Sequence, residues 1–244
     1  MKLPSGPGSP ASDAAETFTE ATAACRAVSS ISADIAASGS VGGQRLRGHL
    51  LTGLAAPASA RLEAVAPVGQ PLFIFVAKDG DATLLLPRED RVLEHGPPPA
   101  VLEAVAGVRL DPAELRHALT GCVPPAESPQ GKSLGADWRL VTVGVTDVYL
   151  HRDPKAARWQ IVSAMHKPAS GSWRADYRDF QDGLPRAIHL VSVGDKRFDL
   201  SLTLSQVALN ESLGAEVFRV DVPQSAERIT LDQLNNARPG IREN

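Results

Sequence analysis

Arg197-Phe198-Asp199-Leu200-Ser201-Leu202-Thr203-Leu204-Ser205 is the stretch of sequence that decides the fold class of this chain. Apolar residues alternate here with charged or hydroxyl-bearing residues over nine consecutive positions. Because successive side chains of a strand point to opposite faces, this pattern predicts a β-strand with one apolar and one solvated face. Such strands are typical of antiparallel sheets that are covered on one side only.

Short runs with strand-like composition lie on both sides of this stretch. Gly42-Gly43 and Asp79-Gly80 separate two pairs of these runs, and both dipeptides favour tight hairpin turns that need positive φ. Strands joined by such turns are antiparallel. The predicted strands are Ile31–Val41, Gln44–Leu54, Ser59–Ala66, Leu72–Ala77, Ala82–Leu86, Arg91–Glu94, Trp138–Leu150, Ala157–His166, Trp173–Phe180, Arg186–Val193, Arg197–Leu209 and Val217–Val222.

Four helices are predicted around these strands. Asp13 and Glu16 have the spacing of a capping box at the start of the first helix, which has one apolar face. Asp111-Pro112-Ala113-Glu114 begins the third helix with aspartate as N-cap and proline at the first helical position, and Gly121 ends it. The predicted helices are Asp13–Ser30, Pro98–Ala106, the one between Asp111 and Gly121, and Leu231–Asn235.

The pattern as a whole predicts a mainly β (α+β) chain with about 11 antiparallel strands. No βαβ alternation is visible, which argues against a parallel doubly wound sheet. An open sheet of this size is expected to curl, and a helix over its concave side would enclose an apolar cavity. A β-sandwich or a lipocalin-like barrel fits the same pattern almost as well. We predict a flexible linker over residues 1–12, a single domain over 13–237 and a tail over 238–244.

The composition narrows the classes of function. The 244 residues carry a formal net charge of −3, and no lysine or arginine run forms a footprint for phosphates. Aromatic residues make up only 5% of the chain, which argues against a stacking platform for single-stranded nucleic acid. No metal is expected, because no pair of histidines has metal-ligand spacing; they are His49, His95, His117, His151, His166 and His189. No cofactor or nucleic acid is expected either.

The first twelve residues are rich in proline, glycine and serine, as in a flexible tether. No apolar segment of signal-peptide type follows Lys2, and no run of 18 apolar residues occurs. Two interpretations remain: a cytoplasmic start with a loose tail, or a tether left after a signal sequence was removed. The second is favoured by the resemblance described next. Cys25 is not a lipidation site, because acidic residues precede it.

Several short motifs, in their order and spacing over about residues 25–205, resemble the lipoprotein carrier and receptor family LolA/LolB. The turn and strand Ala66–Phe73 is most similar to LolB, whereas the C-terminal end, with Val222-Pro223, is more similar to the broader LolA-like group. The remaining motifs are Ala77–Asp81, Leu110–Gly121, Trp173–Tyr177 and Gly183–Ile188. The resemblance implies a curved antiparallel half-barrel of about 11 strands, with helices covering its concave, apolar side.

The resemblance also implies a function: shielding the acyl chains of a lipid or lipoprotein in an apolar cavity. An acyl chain needs only an apolar sleeve, since each buried methylene contributes about 0.8 kcal/mol. No catalytic residue is required, and no enzyme activity is expected. The residues expected to line the cavity are Leu46, Leu50, Leu62, Ile74, Val76, Leu84, Leu86, Ile161, Ile188, Leu190, Phe198, Leu200, Leu202 and Leu204.

The family resemblance further assigns roles to a turn and to two cysteines. Pro67, Val68 and Gly69 correspond to a turn whose leucine helps to insert lipoprotein into the membrane, and here Val68 takes the place of that leucine. We expect this turn to contact a membrane surface or an incoming periplasmic carrier. Cys25 lies on the first helix and Cys122 immediately follows the third. In the family fold both helices cover the same opening, so we predict a disulfide; two free buried thiols are the alternative. The expected protein is a monomer in the periplasm, anchored to the outer membrane.

Three alternatives stay open. In the first, the apolar residues fill a dry core and line no cavity. In the second, the chain is an envelope-assembly or scaffold lipoprotein that keeps the fold without the cargo. The third is a hydrolase: serine, histidine and aspartate are present, although we assign no serine to a nucleophile elbow. A glycosidase carboxylate pair is invisible at the level of sequence.

Overall fold

The computed structural model describes residues 2–66, 68–124, 129–155, 157–168, 171–194 and 197–237. Helices are few and strands predominate. In chain order the elements are β1 (Ser9–Pro10), α1 (Ala14–Arg26), β2 (Ser30–Val41), β3 (Gln44–Ala55), β4 (Ser59–Val65), β5 (Phe73–Lys78), β6 (Asp81–Leu86), β7 (Arg91–Gly96), α2 (Pro98–Ala106), α3 (Pro112–Thr120), β8 (Gln130–Ser133), β9 (Trp138–Val143), β10 (Thr146–Arg152), β11 (Trp159–His166), β12 (Trp173–Arg178), β13 (Ala187–Ser192), β14 (Phe198–Leu209), β15 (Glu227–Arg228) and α4 (Leu231–Ala237).

The predicted fold class is confirmed, since the chain is mainly β and its strand pairs are antiparallel apart from β7 with β15. The hairpin turns at Gly42-Gly43 and Asp79-Gly80 both have positive φ, as predicted. There are more strands than expected: the predicted strand Trp138–Leu150 is the hairpin of β9 and β10, with Gly144 at positive φ in its turn. The short strands β1, β8 and β15 had no alternating pattern that could predict them.

The predicted strand Val217–Val222 is wrong. Residues 211–226 form turns and irregular chain, although Phe218 is buried. The Arg61 side chain donates through Nη1 to the backbone oxygens of Val217 and Arg219, at 3.3 and 2.9 Å. An arginine therefore supplies the donors that two of these carbonyl groups would otherwise receive from a neighbouring strand. No β-ladder is needed at this point.

The N-terminal region also differs from expectation. Ser9 and Pro10 pair with Ser133 and Lys132 of β8, a strand that was not expected within the predicted linker. The linker over 1–12 itself stays a prediction. Helix α1 is shorter than predicted, because β2 already begins at Ser30. The expected capping box is absent: the Asp13 carboxylate makes no capping bond and is instead hydrogen-bonded to the Arg139 guanidinium, Nε to Oδ1 at 2.8 Å and Nη2 to Oδ2 at 2.7 Å.

The third helix begins as predicted. The Glu114 backbone N–H donates to the Asp111 carboxylate at 2.7 Å, and the Asp111 N–H donates to the Glu114 carboxylate at 2.9 Å. This reciprocal pair is the capping box expected from the sequence. Burial raises the pKa of Glu114.

The chain forms two compact units. Unit 1 comprises residues 1–28 and 117–199, with strand order β1-β8-β9-β10-β11-β12-β13. Helix α1 packs against β8 to β11. A Cβ atom added to Gly131 would lie 2.6 Å from the Cβ of Ala14, which places α1 on one particular face of this sheet. The row of paired residues on that face is Gly131, Val141, Val148, Ala164, Ala175 and Leu190.

Unit 2 comprises residues 29–116 and 200–244, with strand order β14-β2-β3-β4-β5-β6-β7-β15. Helix α2 contacts β6, and α4 packs on α2 and β7. A Cβ atom on Gly96 would meet Val101 of α2 at 2.6 Å, and one on Gly107 would meet Val41 of β2. Helix α2 therefore lies over one face of this sheet. The predicted single domain over 13–237 stays a prediction.

Candidate functional site

The sheet face under a helix is called here the helix face of each unit, and the opposite one the outer face. In unit 2 the helix face is made of three cross-strand rows. They are Ile31, Leu54, Ala60, Ala77 and Ala82; Ala33, Thr52, Leu62, Phe75, Leu84 and Leu93; and Ile35, Leu50, Ala64 and Phe73. All but one of these residues are apolar, and all except Leu50 are buried.

Five of the predicted lining residues lie on the helix face of unit 2. Leu62 and Leu84 belong to the second row, and Leu86 follows Leu84 on the same side of β6. Leu46 pairs with Gly39 and Leu50 pairs with Ile35, which places both leucines on this face. Leu46 and Leu50 are only half-buried, whereas the other three are buried.

Ile74 and Val76 do not belong with the other predicted lining residues of unit 2. Leu62 pairs with Phe75, so the neighbouring Ile74 and Val76 point to the outer face. Every side chain of Phe73-Ile74-Phe75-Val76-Ala77 is apolar, so the sequence gives no alternation from which to choose a face. Both outer-face residues are at least partly buried, and the C-terminal segment packs against Ile74 from the other side.

The C-terminal cover of the outer face is mostly apolar. Ile74 packs in a cluster with Leu85 and Val92 of the sheet and with residues from the segment beyond β14. That segment also contacts β3, since a Cβ atom on Gly53 would meet Leu213 and Val217 at 3.7 and 3.6 Å. The segment members of the cluster are Val220, Val222 and Ala226.

In unit 1, Ile161, Ile188 and Leu190 lie on the helix face and are buried. Ile161 pairs with Leu150, and Leu190 pairs with Ala175 in the row beneath α1. In β14 the alternation read from the sequence matches the structure. Its exposed side chains alternate with the buried ones, which are Phe198, Leu200, Leu202 and Leu204. That these residues line a cavity stays a prediction.

Two hydroxyl groups interrupt these apolar faces. Thr52 lies in the second row of unit 2, and Tyr177 pairs with Ile188 on the helix face of unit 1. Both side chains are buried, and neither hydroxyl has a hydrogen-bond partner among the described residues. Burial raises the pKa of the Tyr177 hydroxyl, and the neighbouring Asp176 raises it further. Neither residue could be predicted from the sequence, because a single tyrosine or threonine in a strand carries no distinguishing signal.

The two cysteines are joined in the structure. Cys25 of α1 and Cys122, just after α3, form a disulfide with Cα atoms 5.5 Å apart. Both residues belong to unit 1 and are buried. The bridge closes a loop with a sequence separation of 97, so it ties α1 to a distant part of the chain.

The predicted contact turn lies at the surface of unit 2. The Val68 side chain is 84% exposed, and Gly69 has φ 86°. Arg88 fixes the turn by donating through Nη2 to the Val68 backbone oxygen and through Nε to the Gln70 oxygen, both at 3.1 Å. Pro67 lies outside the described residues. An exposed valine on an anchored turn is compatible with contact, but the contact itself stays a prediction.

The outer face of unit 1 carries a polar network. The Ser163 hydroxyl donates to Asp176 at 2.7 Å, and His189 lies 3.6 Å from the other Asp176 oxygen. His189 Nε2 also contacts Asp199 at 2.8 Å. In a hydrolase triad the histidine stands between serine and aspartate. Here the aspartate stands between serine and histidine, so the imidazole is not placed to take the serine proton.

The letters of a nucleophile elbow do occur in the sequence, at Gly131-Lys132-Ser133-Leu134-Gly135. A working elbow is a sharp turn from a strand into a helix. Ser133 instead lies in β8, paired with Ser9 on one side and Arg139 on the other. Its hydroxyl donates to the Gly135 oxygen at 2.9 Å. This geometry does not expose a nucleophile.

In the described part of the chain, no three or more histidine, cysteine, aspartate or glutamate side chains are grouped so that they could hold a metal ion. None of the helices within the described ranges combines the length and the apolar character needed to cross a bilayer.

Two solved structures are similar to this chain over most of its length. A LolA superfamily protein from Nitrosomonas europaea matches with a TM-score of 0.55 and 11% identity, covering 85% of this chain and 97% of that one. A DUF1329 family protein from Desulfovibrio piger matches with a TM-score of 0.52 and 9% identity, covering 86% and 98%. No family model matches the sequence, and no curated protein matches it. The predicted resemblance is therefore confirmed at the level of the fold.

Proposed function

We propose, for a chain with the LolA-like fold, that it binds the acyl chains of a lipid or lipoprotein against the apolar helix faces of its sheets. The protein acts as a carrier or receptor in the bacterial envelope, in the periplasm, tethered to the outer membrane. It works as a monomer, shields the acyl chains from water, and receives or hands on its cargo through a periplasmic carrier or a membrane surface. No catalytic group takes part.

The observation that carries this proposal is the pair of buried hydroxyls without partners, Thr52 and Tyr177. Leaving a buried polar group unsatisfied costs about 1–3 kcal/mol, and valine or phenylalanine would fill the same space without a hydroxyl. A hydroxyl retained on an apolar face is explained when a bound molecule supplies the acceptor. The ester or amide carbonyl at the head of an acyl chain is an acceptor of this kind, followed by the methylenes that the apolar rows would cover.

The gradation of burial along β3 supports the same proposal. Leu54 and Thr52 are buried, whereas Leu50 and Leu46 on the same face are only half-buried. The apolar face therefore continues past the part that is fully covered. An acyl chain lying along this continuation would remove the two leucines from water.

Titration with a fluorescent fatty acid tests the proposal. Tyr177→Phe removes the hydroxyl and keeps the ring, and we expect roughly five-fold weaker binding from the loss of one hydrogen bond. Tyr149→Phe is the matched control, because Tyr149 pairs with Ser163 and lies on the outer face. Equal affinity of Tyr177→Phe and the parent protein would remove the role given to this hydroxyl.

The second candidate is a scaffold lipoprotein with the same fold and no cargo. The disulfide that ties α1 down in unit 1 favours it, because a covered face needs no ligand. A folded protein that binds no fatty acid at all, in any of these variants, would support the scaffold and contradict carriage.

A further inference from the structure

One cross-strand row on the helix face of unit 1 is polar. It lies next to the row beneath α1 and consists of Val143, Thr146, His166, Trp173 and Ser192. Four of these five side chains carry a hydrogen-bonding group, whereas the row beneath α1 has none. A polar row beside an apolar one has the arrangement that an amphiphile needs, with its head group on the first row and its chain on the second.

His166 is held in this row by two neighbours. The Thr146 hydroxyl lies 3.0 Å from its Nδ1 atom, and its ring stacks on Trp173 with ring centroids 3.9 Å apart. The other ring nitrogen, Nε2, has no hydrogen-bond partner within the described ranges. Both rings are only half-buried, so solvent reaches them. A ring that is fixed at one nitrogen and open at the other is pre-organised to bind a ligand.

Helix α3 brings a second imidazole to the same place. A Cβ atom added to Gly121, just after α3, would lie 3.7 Å from the Tyr177 ring, so this end of the helix lies over the helix face. His117 is about one helical turn earlier, and Arg116 belongs to the same turn. Burial, and after it the charge of His117, lowers the pKa of His166 to about 4. Two imidazoles therefore lie near each other at this end of the face.

The carboxylates of the strands that carry this row point away from it. Asp147 pairs with Met165, and Met165 pairs with Arg174, so all three lie on the outer face. There Lys167 forms an ion pair with Asp147, and Arg174 lies 3.1 Å from Asp176. Both carboxylates of β9 to β13 are therefore neutralised on the face opposite the imidazoles.

The carboxylates of the helices that pack on this sheet are bound to other groups or exposed. Asp13, at the start of α1, is bound by an arginine, and Glu16 is exposed. Glu20 accepts the backbone N–H of Trp159 at 3.1 Å, at the opposite end of β11 from the imidazoles. Glu114 accepts an N–H in the capping box at the first turn of α3. An anion at the two imidazoles is therefore not opposed by a carboxylate of these helices.

We propose that this end of the helix face, defined by His117, Thr146, His166 and Trp173, binds the anionic head group of a lipid, a phosphate or a carboxylate, and takes up one proton on binding. The proton comes from water and adds to His166. Its Nε2–H then donates to the anion, and its Nδ1–H donates to the Thr146 oxygen. The charge of the anion offsets the cost of a buried imidazolium.

This inference rests on the proposed function and names the class of head group that the carrier takes. The acyl chain would lie on the apolar row beneath α1. Tyr177, under the same end of α3, remains the donor to an ester or amide carbonyl. A neutral lipid lacks the group that pairs with the imidazolium and should bind more weakly.

Isothermal titration calorimetry on the full chain tests the head-group site. The probes are dodecanoate, monododecyl phosphate and the neutral monododecanoylglycerol, which share one chain length. At about neutral pH we expect at least one anion to bind roughly ten-fold more tightly than the neutral probe, because it adds a charge-assisted hydrogen bond. Proton uptake should appear as a binding heat that depends on the ionisation enthalpy of the buffer. Preference for the phosphate assigns the site to phospholipids, and preference for the carboxylate assigns it to free fatty acids.

His166→Gln keeps a hydrogen-bonding side chain but cannot take up the proton. We expect it to lose both the preference for the anion and the proton uptake, and to bind the neutral probe like the parent. Thr146→Val removes the acceptor of the Nδ1–H and should weaken anion binding several-fold. The matched control is His151→Gln, since His151 also lies beside a tryptophan, Trp138, with ring centroids 4.5 Å apart, but on the outer face. It should behave like the parent.

The outcomes separate this site from the proposed function. Equal affinity of the parent for anionic and neutral probes, or anion binding without proton uptake, would overturn the head-group site and leave carriage intact. An equal loss in His166→Gln and His151→Gln would also overturn it. A folded parent protein that binds none of the three probes would reject both proposals.

Discussion

The two units present apolar helix faces but differ in what holds the covering layer in place. In unit 1 helix α1 is attached by the Cys25–Cys122 bridge and by the ion pair of Asp13 with Arg139. In unit 2 helix α2 is held by packing, with Val101 against β7 and Val41 against its C-terminal end. Covalent and ionic attachment fixes a layer in one position, whereas packing alone allows it to be displaced. Unit 2 is therefore the unit in which we expect a ligand to exchange.

Removal of the disulfide should have the largest effect on this comparison. The loop-entropy argument for a sequence separation of 97 gives unit 1 about 4–5 kcal/mol of unfolding free energy from the bridge. Cys25→Ser, Cys122→Ser should lose this amount, as measured by denaturant unfolding. Tryptophan fluorescence reports on unit 1 alone, because Trp138, Trp159 and Trp173 all belong to it.

Circular dichroism follows both units and serves as the control for that experiment. Because helix α2 of unit 2 is held by packing and not by the disulfide, unit 2 should unfold at the same denaturant concentration in the double variant as in the parent. Its transition is the part of the circular dichroism change that tryptophan fluorescence does not show. A reducing agent should have no effect on the double variant. Equal stability of oxidised and reduced parent protein would contradict the role of the bridge.

The ion pair at Asp13 should have the next largest effect. Its two hydrogen bonds join a carboxylate to an arginine that also lies 4.8 Å from the Trp159 ring centroid. The Arg139 side chain is mostly buried, but solvent screens the Asp13 carboxylate, which is 37% exposed, so Asp13→Asn should cost about 1.5–2 kcal/mol. Glu16→Gln is the control that separates the ion pair from the expected capping box: it should change the unfolding free energy by less than about 0.5 kcal/mol.

The acid dependence sharpens the same prediction. The hydrogen bonds from Arg139 lower the pKa of Asp13 below its ordinary 3.8. The stabilisation is therefore complete above that value and is lost as the pH falls through the lowered pKa. Asp13→Asn should remove this part of the acid titration, and an unchanged titration would show that the pair contributes nothing.

Thr52→Val in unit 2 should have a smaller effect of opposite sign. The substitution replaces a buried hydroxyl without a partner by a methyl group of similar size. The unfolding free energy of the ligand-free protein should therefore rise by about 1–2 kcal/mol. Thr83→Val on the outer face, where Thr83 pairs with Val76, is the matched control and should be close to neutral. Thermal melting followed by circular dichroism measures both, and a destabilised Thr52→Val would mean that the hydroxyl is satisfied.

At neutral pH the smallest expected effect is that of His166, which acts on unit 1 only as a pH slope below about pH 6.5. His166 stacks on Trp173 with ring centroids 3.9 Å apart, and burial, helped by the charge of His117, lowers its pKa to about 4. Because the unfolded chain binds this proton near pH 6.5, stability should fall as the pH drops from about 6.5 to 4. His166→Gln should flatten the slope of tryptophan-monitored unfolding in this interval. A slope identical to that of the parent would assign it to other groups.

The sequence predicted features that depend on local chemistry. The turns at Gly42-Gly43 and Asp79-Gly80, the capping box of Asp111 with Glu114 and the one-sided strand β14 all follow from residues that are neighbours in the chain. Each has a pattern with a single physical explanation: positive φ, reciprocal caps or strict alternation.

The features that could not be predicted depend on distant partners. Asp13 had the spacing of a cap, but Arg139 offers two charged donors and outcompetes the helix amides. Val217–Val222 had the composition of a strand, but Arg61 satisfies its carbonyls. Ile74 and Val76 lie on the outer face because Leu62 pairs with Phe75, and this register is set across strands. No local pattern records any of these pairings.

Lipid extraction of the purified chain, followed by mass spectrometry, tests the central claim most directly. We predict that acyl-bearing molecules co-purify with the parent protein in about equimolar amount. Their amount should be reduced in Thr52→Val and Tyr177→Phe, but not in Thr83→Val or Tyr149→Phe. A folded protein that carries no acyl-bearing molecule, and takes none up from added lipid, would contradict it.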